Sequence, residues 1–225
     1  NYMNKILITQ RIGRDKYGEY HDYIESNYIK FFNKYNITPV LLPNNVENAI
    51  KFYETNNCSK IILTGGDDIS CLFTKKQQES KKKYLLRDKH EKKLIKYAIK
   101  KKIPVFCICR GFQIMNTCLG GKLTKNINRK FFTGVNKHKV IFTEDYQKEI
   151  KIKSITVNSF HNHGIEKNKL SHQLVPLGYT SNELLVEMYT HKHLPITGVQ
   201  WHPERAGYSK KFDNYIFKKF IKIKK

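Results

Sequence analysis

Short apolar runs alternate with segments of helical periodicity along the first half of the chain. The runs are rich in β-forming residues and predict strands at residues 5–9, 38–42, 60–64 and 103–108. The segments between them carry apolar residues at helical spacing and predict helices at residues 20–36, 46–54, 87–102 and 112–119. Strands that alternate with helices favour an α/β fold, in which a mostly parallel sheet is covered on both faces.

The last two of these helices carry boundary signals. Asp88 is followed three residues later by Glu91, which is the spacing of a capping box, so the third helix is expected to begin near Arg87. Gly120 and Gly121 follow the fourth helix, and glycine commonly stands just past a helix end.

The pattern changes after about residue 138. Five β-rich segments predict an antiparallel extension of the sheet, at residues 139–143, 150–157, 173–180, 184–190 and 196–201. The tail then repeats apolar residues at helical spacing with lysines between them, at Phe212, Ile216, Phe220 and Ile223. This predicts a final helix that packs on the sheet, with an amphipathic membrane helix as the alternative. No repeat or linker divides the chain, so one domain over residues 1–225 is expected.

The net charge of +23 does not by itself indicate a nucleic-acid-binding protein. Only six of the 42 basic residues are arginines, and the lysines are scattered along the chain, which favours a solvated lysine surface over a nucleic-acid site. A basic surface still attracts an anionic small-molecule substrate. No apolar window reaches the ~18 residues of a membrane span, and the N-terminus lacks the apolar core of a signal peptide. We therefore expect neither a nucleic-acid nor a membrane partner.

The five cysteines are an odd number without a repeated spacing, which argues against a disulfide framework and for reduced thiols in the cytoplasm. No C-x-x-C motif occurs and the histidines complete no familiar ligand pattern, so no metal is expected. A cation site at Asp67 and Asp68 is an alternative, although no other acidic cluster supports it. Cys107 and Cys118 are predicted to be core residues, because free cysteine is among the most buried residue types.

Cys109 stands where a buried strand meets a helix. The strand, the cysteine and Gly111 have the layout of a nucleophile elbow, which lifts one side chain to the carboxyl end of the sheet. The N-terminus of the following helix favours a thiolate at this corner. A cysteine nucleophile needs a base, and the best candidate is His202, with Glu204 two residues later to orient its ring. The segment Gly65-Gly66 after another strand predicts backbone donors for an oxyanion, with a tight turn as the alternative.

With these residues assembled, the chain resembles the class I glutamine amidotransferase-type hydrolases of the γ-glutamyl hydrolase group, also called peptidase C26. The matching blocks cover about two thirds of the chain in the order of the family: TGG-x-DI (64–69), R-D-x-x-E (87–91), I-C-R-G-x-Q-x-x-N (108–116), V-N-S-x-H (157–161) and Q-W-H-P-E (200–204). The resemblance implies a flavodoxin-like class I glutamine amidotransferase fold, with a central mostly parallel sheet flanked by helices and an antiparallel extension.

The resemblance also implies roles for individual residues. Cys109 would be the nucleophile, His202 the general base and then acid, and Glu204 its orienting partner. The backbone N–H groups of Gly66 and Arg110 would form the oxyanion hole. Three further positions match residues that line the glutamyl pocket: Gln113, Ser159 and His161. The chain departs from the family at Cys107, where glycine is usual, and at Asn162-His163, where His-Gln is usual.

The implied reaction is hydrolysis of a γ-glutamyl amide through a thioester, without a metal or organic cofactor. The R-G after the cysteine, the V-N-S-x-H block and the absence of a synthetase domain favour a free-standing hydrolase over a glutaminase subunit that supplies ammonia to a synthetase. The N-terminal segment resembles enzymes that cleave γ-glutamyl-CDP-amidate during bacterial capsule phosphoramidate synthesis. The small-molecule substrate would then be nucleotide-linked, with Arg11, Arg14 or nearby lysines as contacts. A hydrolase of γ-glutamyl-γ-aminobutyrate or another γ-glutamyl amine is the alternative, and the oligomeric state is left open.

Overall fold

A ten-stranded sheet runs through the protein. The structure is a computed structural model that describes residues 4–72, 74, 82–127, 137–205 and 207–224. The strands of this sheet are β1 (Asn4–Thr9), β4 (Ile37–Leu42), β5 (Lys60–Leu63), β6 (Val105–Ile108), β7 (Lys137–Phe142), β8 (Ser154–Asn158), β9 (Ile165–Glu166), β10 (Leu174–Thr180), β11 (Leu185–His191) and β12 (Ile196–Val199). Their order is β4-β1-β5-β6-β12-β11-β10-β7-β8, with β9 paired to β11.

The sheet has a parallel half and an antiparallel half. Strands β4, β1, β5, β6 and β12 pair in parallel, and the strands from β12 to β8 pair antiparallel. The predicted antiparallel extension is therefore confirmed for most of its segments, but β12 belongs to both halves. It lies parallel to β6 from Ile196 opposite Val105 to Val199 opposite Ile108. The carboxyl ends of β6 and β12 consequently meet at one edge of the sheet.

Six helices are described on the two faces of the sheet: α1 (Ser26–Asn33), α2 (Ala49–Thr55), α3 (Lys82–Lys101), α4 (Arg110–Cys118), α5 (Glu144–Ile150) and α6 (Lys210–Lys222). Buried residues of α2, α3 and α4 share one hydrophobic cluster, and those of α1, α5 and α6 share another. Successive strand residues alternate between the clusters: Cys107 faces the first, whereas Phe106 and Ile108 face the second. The α/β fold with both faces covered is thus confirmed.

The two cysteines predicted to lie in the core differ in burial. Cys107 is fully buried, which confirms the prediction, and burial raises the pKa of its thiol. Cys118 is partly buried against the same cluster. The C-terminal helix is also confirmed, because Phe212, Ile216 and Phe220 of α6 are buried in the second cluster. No helix in the described part of the chain is both long and apolar enough to cross a membrane.

The predicted helix at residues 20–36 was wrong in its first part. A separate hairpin, β2 (Arg11–Arg14) with β3 (Tyr20–Tyr23), precedes the shorter α1. The turn of the hairpin is built by Asp15, whose carboxylate accepts hydrogen bonds from the backbone N–H groups of Tyr17 and Glu19, both at 2.9 Å. Local side-chain bonds of this kind compete with helix formation, and the apolar periodicity did not reveal them.

The capping box was also wrong. The helix α3 already includes Lys82, so Asp88 and Glu91 lie inside it, and both are buried. The predicted strand at residues 150–157 begins later than expected, because α5 occupies residues up to Ile150 and ends at Lys151 in the left-handed conformation (φ 57°). Strand β8 follows from Ser154. The single domain over residues 1–225 stays a prediction.

Candidate active site

Cys109 occupies the corner between β6 and α4. Its backbone has φ 49° and ψ −98°, a conformation that residues other than glycine rarely adopt. Two hydrogen bonds fix this corner: the Cys109 N–H donates to the carbonyl of Val199 at 2.9 Å, and the Cys109 carbonyl accepts from the N–H of Gln113 at 3.1 Å. The first bond ties Cys109 to the end of β12. The strand-to-helix corner predicted from the sequence is therefore present, and its backbone conformation is strained.

Gly111 allows α4 to start directly against β5. A Cβ at this position would lie 2.2 Å from the carbonyl oxygen of Leu63, a backbone atom that cannot move aside. The glycine that follows the cysteine by two residues thus serves close packing of helix on strand in this structure. This packing sets where the first backbone N–H groups of α4 point.

His202 follows β12 and is 3% exposed. Its Nδ1 lies 2.6 Å from Oε1 of Glu204, and the sulfur of Cys109 is close enough to the ring to raise its pKa. Because Nδ1 is engaged by the carboxylate, Nε2 is the nitrogen available to the sulfur. Burial by itself lowers the pKa of His202, but the negative charges of Cys109 and Glu204 outweigh it and raise the pKa to about 10. The structure thus brings the three predicted catalytic residues together, with a ring that favours the imidazolium.

Asn158, at the end of β8, holds the backbone of His202 from both sides. Its side-chain oxygen accepts from the His202 N–H, and its amide donates to the His202 carbonyl, each at 2.9 Å. Both residues are buried. The V-N-S-x-H block contained this asparagine, but nothing in the spacing of that block indicated its partner 44 residues away.

The loop after β5 carries one of the two predicted oxyanion donors, Gly66, and the other, Arg110, begins α4. Gly66 has φ +127°, and a Cβ there would lie 2.7 Å from Nη1 of Arg87 and 2.8 Å from Cγ of Arg11, so the position requires glycine. Among the described residues, the N–H groups of Gly66 and Arg110 donate no hydrogen bond. The neighbouring N–H of Gly65 is instead taken by the hydroxyl of Tyr28 at 2.9 Å.

A buried network of charges joins this loop to the elbow. The Arg110 guanidinium makes short hydrogen bonds to both Asp88 and Glu91, and Arg87 Nε donates to Glu91 at 2.9 Å. Arg87 also donates to the carbonyl of Thr64 at 3.1 Å. All four charged side chains are at most 3% exposed. Their roles could not be read from the R-D-x-x-E block alone, because their partners come from two other segments.

The network also shifts the pKa values of its members. Burial opposes ionisation of Glu91, but the charges of Arg110 and Arg87 lower the pKa of Glu91 below its ordinary value. Burial likewise opposes the charge on Arg110, but Glu91 and Asp88 raise the pKa of Arg110. These shifts favour the ionised forms of Glu91 and Arg110 at neutral pH, and the network holds the start of α4 against the loop after β5.

The three predicted pocket residues are buried around this centre. Gln113 donates to the carbonyl of His163 at 2.9 Å and to the side chain of Gln200 at 3.2 Å. The Gln200 amide in turn lies 3.6 Å from the sulfur of Cys109. Ser159 Oγ lies 3.4 Å from Nε2 of His161. Gln200 was missed by the sequence reasoning as a neighbour of the sulfur, although it precedes His202 in the Q-W-H-P-E block.

The acidic pair after Gly66 does not form a joint cation site. Asp67 accepts from Arg11 at 3.0 Å, whereas Asp68 lies 3.3 Å from Nε2 of His163. Arg11 is further paired with Glu25 at 2.6 Å, so its guanidinium is already held by two carboxylates. This leaves Arg11 poorly suited to the phosphate contact considered from the sequence.

A second buried cluster joins β7 and β11. His138 of β7 faces Glu187 of β11, which lies where the pairing of β10 with β11 shifts register between Gly178 and Tyr179. His138 Nε2 is 3.1 Å from Glu187 Oε2, and the ligand atoms of His138, Glu187 and His161 all lie within 4.8 Å of one another. Two imidazoles and a carboxylate form a donor set that zinc sites use. Burial opposes protonation of His138, but Glu187 raises its pKa, so these two residues can also form an ion pair without a metal. The absence of a metal stays a prediction.

Comparison with known proteins fits this geometry. The sequence profile of the peptidase C26 family matches residues 7–204. A γ-glutamyl-CDP-amidate hydrolase from Campylobacter jejuni is 35% identical over 206 residues, which span 90% of this chain and 90% of that protein. A glutamine amidotransferase from Thermotoga maritima has a similar structure, with a TM-score of 0.62 at 17% identity over 97% of this chain and 86% of that one. A glutamine amidotransferase from Methylobacillus flagellatus gives 0.59 at 13% identity over 92% and 72%.

The two solved structures define the fold, which is that of the class I glutamine amidotransferases. The family follows from the sequence match: this chain belongs to the peptidase C26 family and is a class I glutamine amidotransferase-like hydrolase.

Proposed function

We propose that this protein hydrolyses a γ-glutamyl amide with Cys109 as nucleophile, His202 as general base and acid, and Glu204 as the residue that orients His202. The observation that carries the proposal is the 2.6 Å contact between His202 Nδ1 and Glu204, on a ring whose pKa is also raised by the nearby sulfur of Cys109 at the strand-to-helix corner. A nucleophile, a base and an orienting carboxylate in series are the arrangement that covalent catalysis requires.

The reaction would proceed in two halves. The sulfur of Cys109, having given its proton to His202, attacks the γ-carbonyl carbon, and the backbone N–H groups of Gly66 and Arg110 stabilise the resulting oxyanion. His202 returns the proton to the departing nitrogen, the C–N bond breaks, and a γ-glutamyl thioester remains on Cys109. A water molecule then gives a proton to His202 and attacks the thioester, which releases glutamate and the free thiol. No cofactor takes part in these steps.

Three buried side chains would form the glutamyl pocket: Gln113, Ser159 and His161. Gln113 lies one helical turn beyond Cys109 on α4, which suits a side chain that contacts the substrate attacked by that sulfur. These roles rest on the match to the family pattern and on the position of the residues around Cys109.

The proposed substrate is γ-glutamyl-CDP-amidate, cleaved to cytidine diphosphoramidate and glutamate in capsule biosynthesis. It is supported by the 35% identity to the Campylobacter jejuni hydrolase over 90% of both chains. A basic surface with a net charge of +23 also suits a substrate that carries a diphosphate.

Glutamate release from a panel of γ-glutamyl compounds tests the assignment. We expect kcat/KM for γ-glutamyl-CDP-amidate to exceed that for γ-glutamyl-γ-aminobutyrate, other γ-glutamyl amines and glutamine. If the simple amines are cleaved as well as the nucleotide compound, the capsule assignment is wrong. If glutamine is cleaved only when a synthetase is added, the chain is an ammonia-supplying subunit instead.

A further inference from the structure

The side of the active site that receives the leaving group follows from the position of His202. Under the proposed function, His202 must protonate the departing nitrogen, so the leaving group extends from that nitrogen past the His202 ring. The ring itself is 3% exposed. Phe160 borders it, with ring centroids 6.0 Å apart and planes at 79°, and Phe160 is 51% exposed. An open aromatic face thus stands beside the proposed general acid.

A cation covers part of this aromatic face. The guanidinium of Arg205 lies 4.4 Å from the centroid of the Phe160 ring. Arg205 is 31% exposed, and its Nε is 3.8 Å from Glu204 Oε1, an oxygen that His202 already engages at 2.6 Å. Its guanidinium makes no hydrogen bond within the described residues. Arg205 therefore has donors that a bound anion can use.

The surroundings of Arg205 are strongly positive. A cavity that Arg205 lines, between α1 and the start of α6, also carries three exposed lysines: Lys30, Lys34 and Lys210. The carboxylates of this cavity are engaged elsewhere, since Glu204 bonds His202, and Asp213 accepts from Trp201 at 2.9 Å and Ser209 at 2.7 Å. Glu25 also interacts electrostatically with Arg205, but it is paired with Arg11 at 2.6 Å, so each of these carboxylates already has another partner.

We propose that Phe160 and Arg205 form the leaving-group subsite, and that this subsite takes an anionic leaving group of the nucleoside diphosphate class. Arg205 binds phosphate oxygens through charge-assisted hydrogen bonds, for which a guanidinium is well shaped. Phe160 offers its ring to the base, because aromatic side chains stack on nucleobases of any sequence. The assignment rests on the proposed reaction and names the substrate class of that same site. It differs from the sequence-based expectation, which put the phosphate contact at Arg11, Arg14 or nearby lysines.

Arg14 is a less suitable contact than Arg205. It lies on the β2–β3 hairpin, where its Nε donates to the carbonyl of Gly18 at 2.8 Å and its guanidinium lies 5.8 Å from the Tyr20 ring centroid. Neither partner touches His202 in the structure. The protonated nitrogen of the leaving group must lie at His202, so a residue beside that ring is better placed to bind the nucleotide attached to this nitrogen.

The experiment compares two substrates that differ in the leaving group. Glutamine releases only ammonia, whereas γ-glutamyl-CDP-amidate releases a nucleotide. In Arg205→Gln and Phe160→Ala, we expect the ratio of kcat/KM for the nucleotide compound to that for glutamine to fall by about 10- to 100-fold, chiefly through KM. Arg205→Lys keeps the charge and should recover part of the loss. Lys167→Gln, which removes another cation stacked on an aromatic ring (4.3 Å from Tyr179), should leave the ratio unchanged.

The outcomes separate this subsite from the reaction itself. If both substrates lose activity equally, Phe160 and Arg205 act on His202 rather than on the leaving group, and the proposal is wrong. An unchanged ratio in both variants would also overturn it. If the wild-type protein cleaves no γ-glutamyl-CDP-amidate, calorimetric titration with CDP tests whether the subsite still binds a nucleoside diphosphate. CDP that binds the wild type and binds at least about 10-fold more weakly to Arg205→Gln keeps the subsite and rejects only the substrate, whereas no binding rejects the subsite as well.

Discussion

The side-chain amide of Asn158 spans the peptide groups of His202, accepting from its N–H and donating to its carbonyl at 2.9 Å each. Asn158 ends β8, at one edge of the sheet, and His202 follows β12 near its centre. The amide therefore fixes the backbone of the proposed base from a strand that is remote in both sequence and sheet order. Asn158 touches no reacting atom, so it is a positioning residue.

Replacing Asn158 by leucine should lower kcat by about 100-fold with a smaller change in KM, because a base displaced by about 1 Å loses its alignment with the sulfur. Asn158→Asp keeps the oxygen that accepts the His202 N–H and should recover part of kcat. The matched control is Asn182→Leu, since Asn182 also bonds local groups, Thr180 and the N–H of Leu184, in a turn. Steady-state kinetics check the prediction, and equal losses in both leucine variants would contradict a local effect.

The two neighbouring cysteines should behave differently. Cys109→Ala should reduce glutamate release at least about 10³-fold, because it removes the proposed nucleophile. Cys107→Ala should stay within about 10-fold, since the fully buried Cys107 belongs to the hydrophobic cluster of α2, α3 and α4, whereas Cys109 belongs to the other cluster. Mass spectrometry of quenched reactions should find the γ-glutamyl adduct on the peptide that contains Cys109. Full turnover in Cys109→Ala would reject the elbow assignment.

The sequence predicted the elements and the ends of the central strands well, because buried strands and amphipathic helices leave a local pattern. The strand before Cys109 and the one before His202 were both visible as apolar runs. The parallel pairing of these two strands could not be predicted. In the sequence β12 follows four segments that were predicted to be antiparallel, yet in the sheet it lies beside β6. The pattern tells which residues are buried, and it does not tell which strand each one lies against.

The residues of the candidate site also fall into those that the sequence predicted and those that it did not. Cys109, His202 and Glu204 were predicted because each lies in a motif whose spacing has a chemical reason. The structure brings them together, and their roles stay predictions. Asn158 as a clamp on His202 could not be predicted, because that contact joins segments 44 residues apart. Asp88 and Glu91 were misread as a helix start, since a capping box and a buried ion network use the same residue types.

The proton on His202 gives a prediction about pH. Its pKa is raised from 6.5 to about 10, so the folded protein holds this proton more tightly than the unfolded chain does. The corresponding stabilisation is fully present below about pH 6.5 and disappears as the pH rises through about 10. Histidine-selective NMR should show His202 titrating near pH 10. In Glu204→Gln the titration should move to lower pH, because one of the two negative charges that raise the pKa is gone.

A second variant, Cys109→Ala, tests the same pKa. It removes the other negative charge and should also lower the pKa of His202. The double variant should bring the pKa down further, toward or below the ordinary value, because burial then acts against the charge without opposition. A His202 pKa that is unchanged in both single variants would mean that neither neighbour sets it. The acid role of His202 in returning the proton would then need another explanation.

The buried ion network predicts a loss of both stability and rate when one carboxylate is neutralised. Glu91→Gln should lower the free energy of unfolding by about 3–5 kcal/mol, because it leaves Arg87 and Arg110 buried with one partner fewer. It should also lower kcat under folding conditions, since the backbone N–H of Arg110 is a proposed oxyanion donor.

Asp145→Asn is the control. Asp145 pairs with Lys148 but is 98% exposed, so no measurable change in stability is expected. Urea unfolding gives the free energies. A Glu91→Gln protein as stable as the control variant would show that the guanidinium groups find other partners, and the network would then not be what joins the loop after β5 to the elbow.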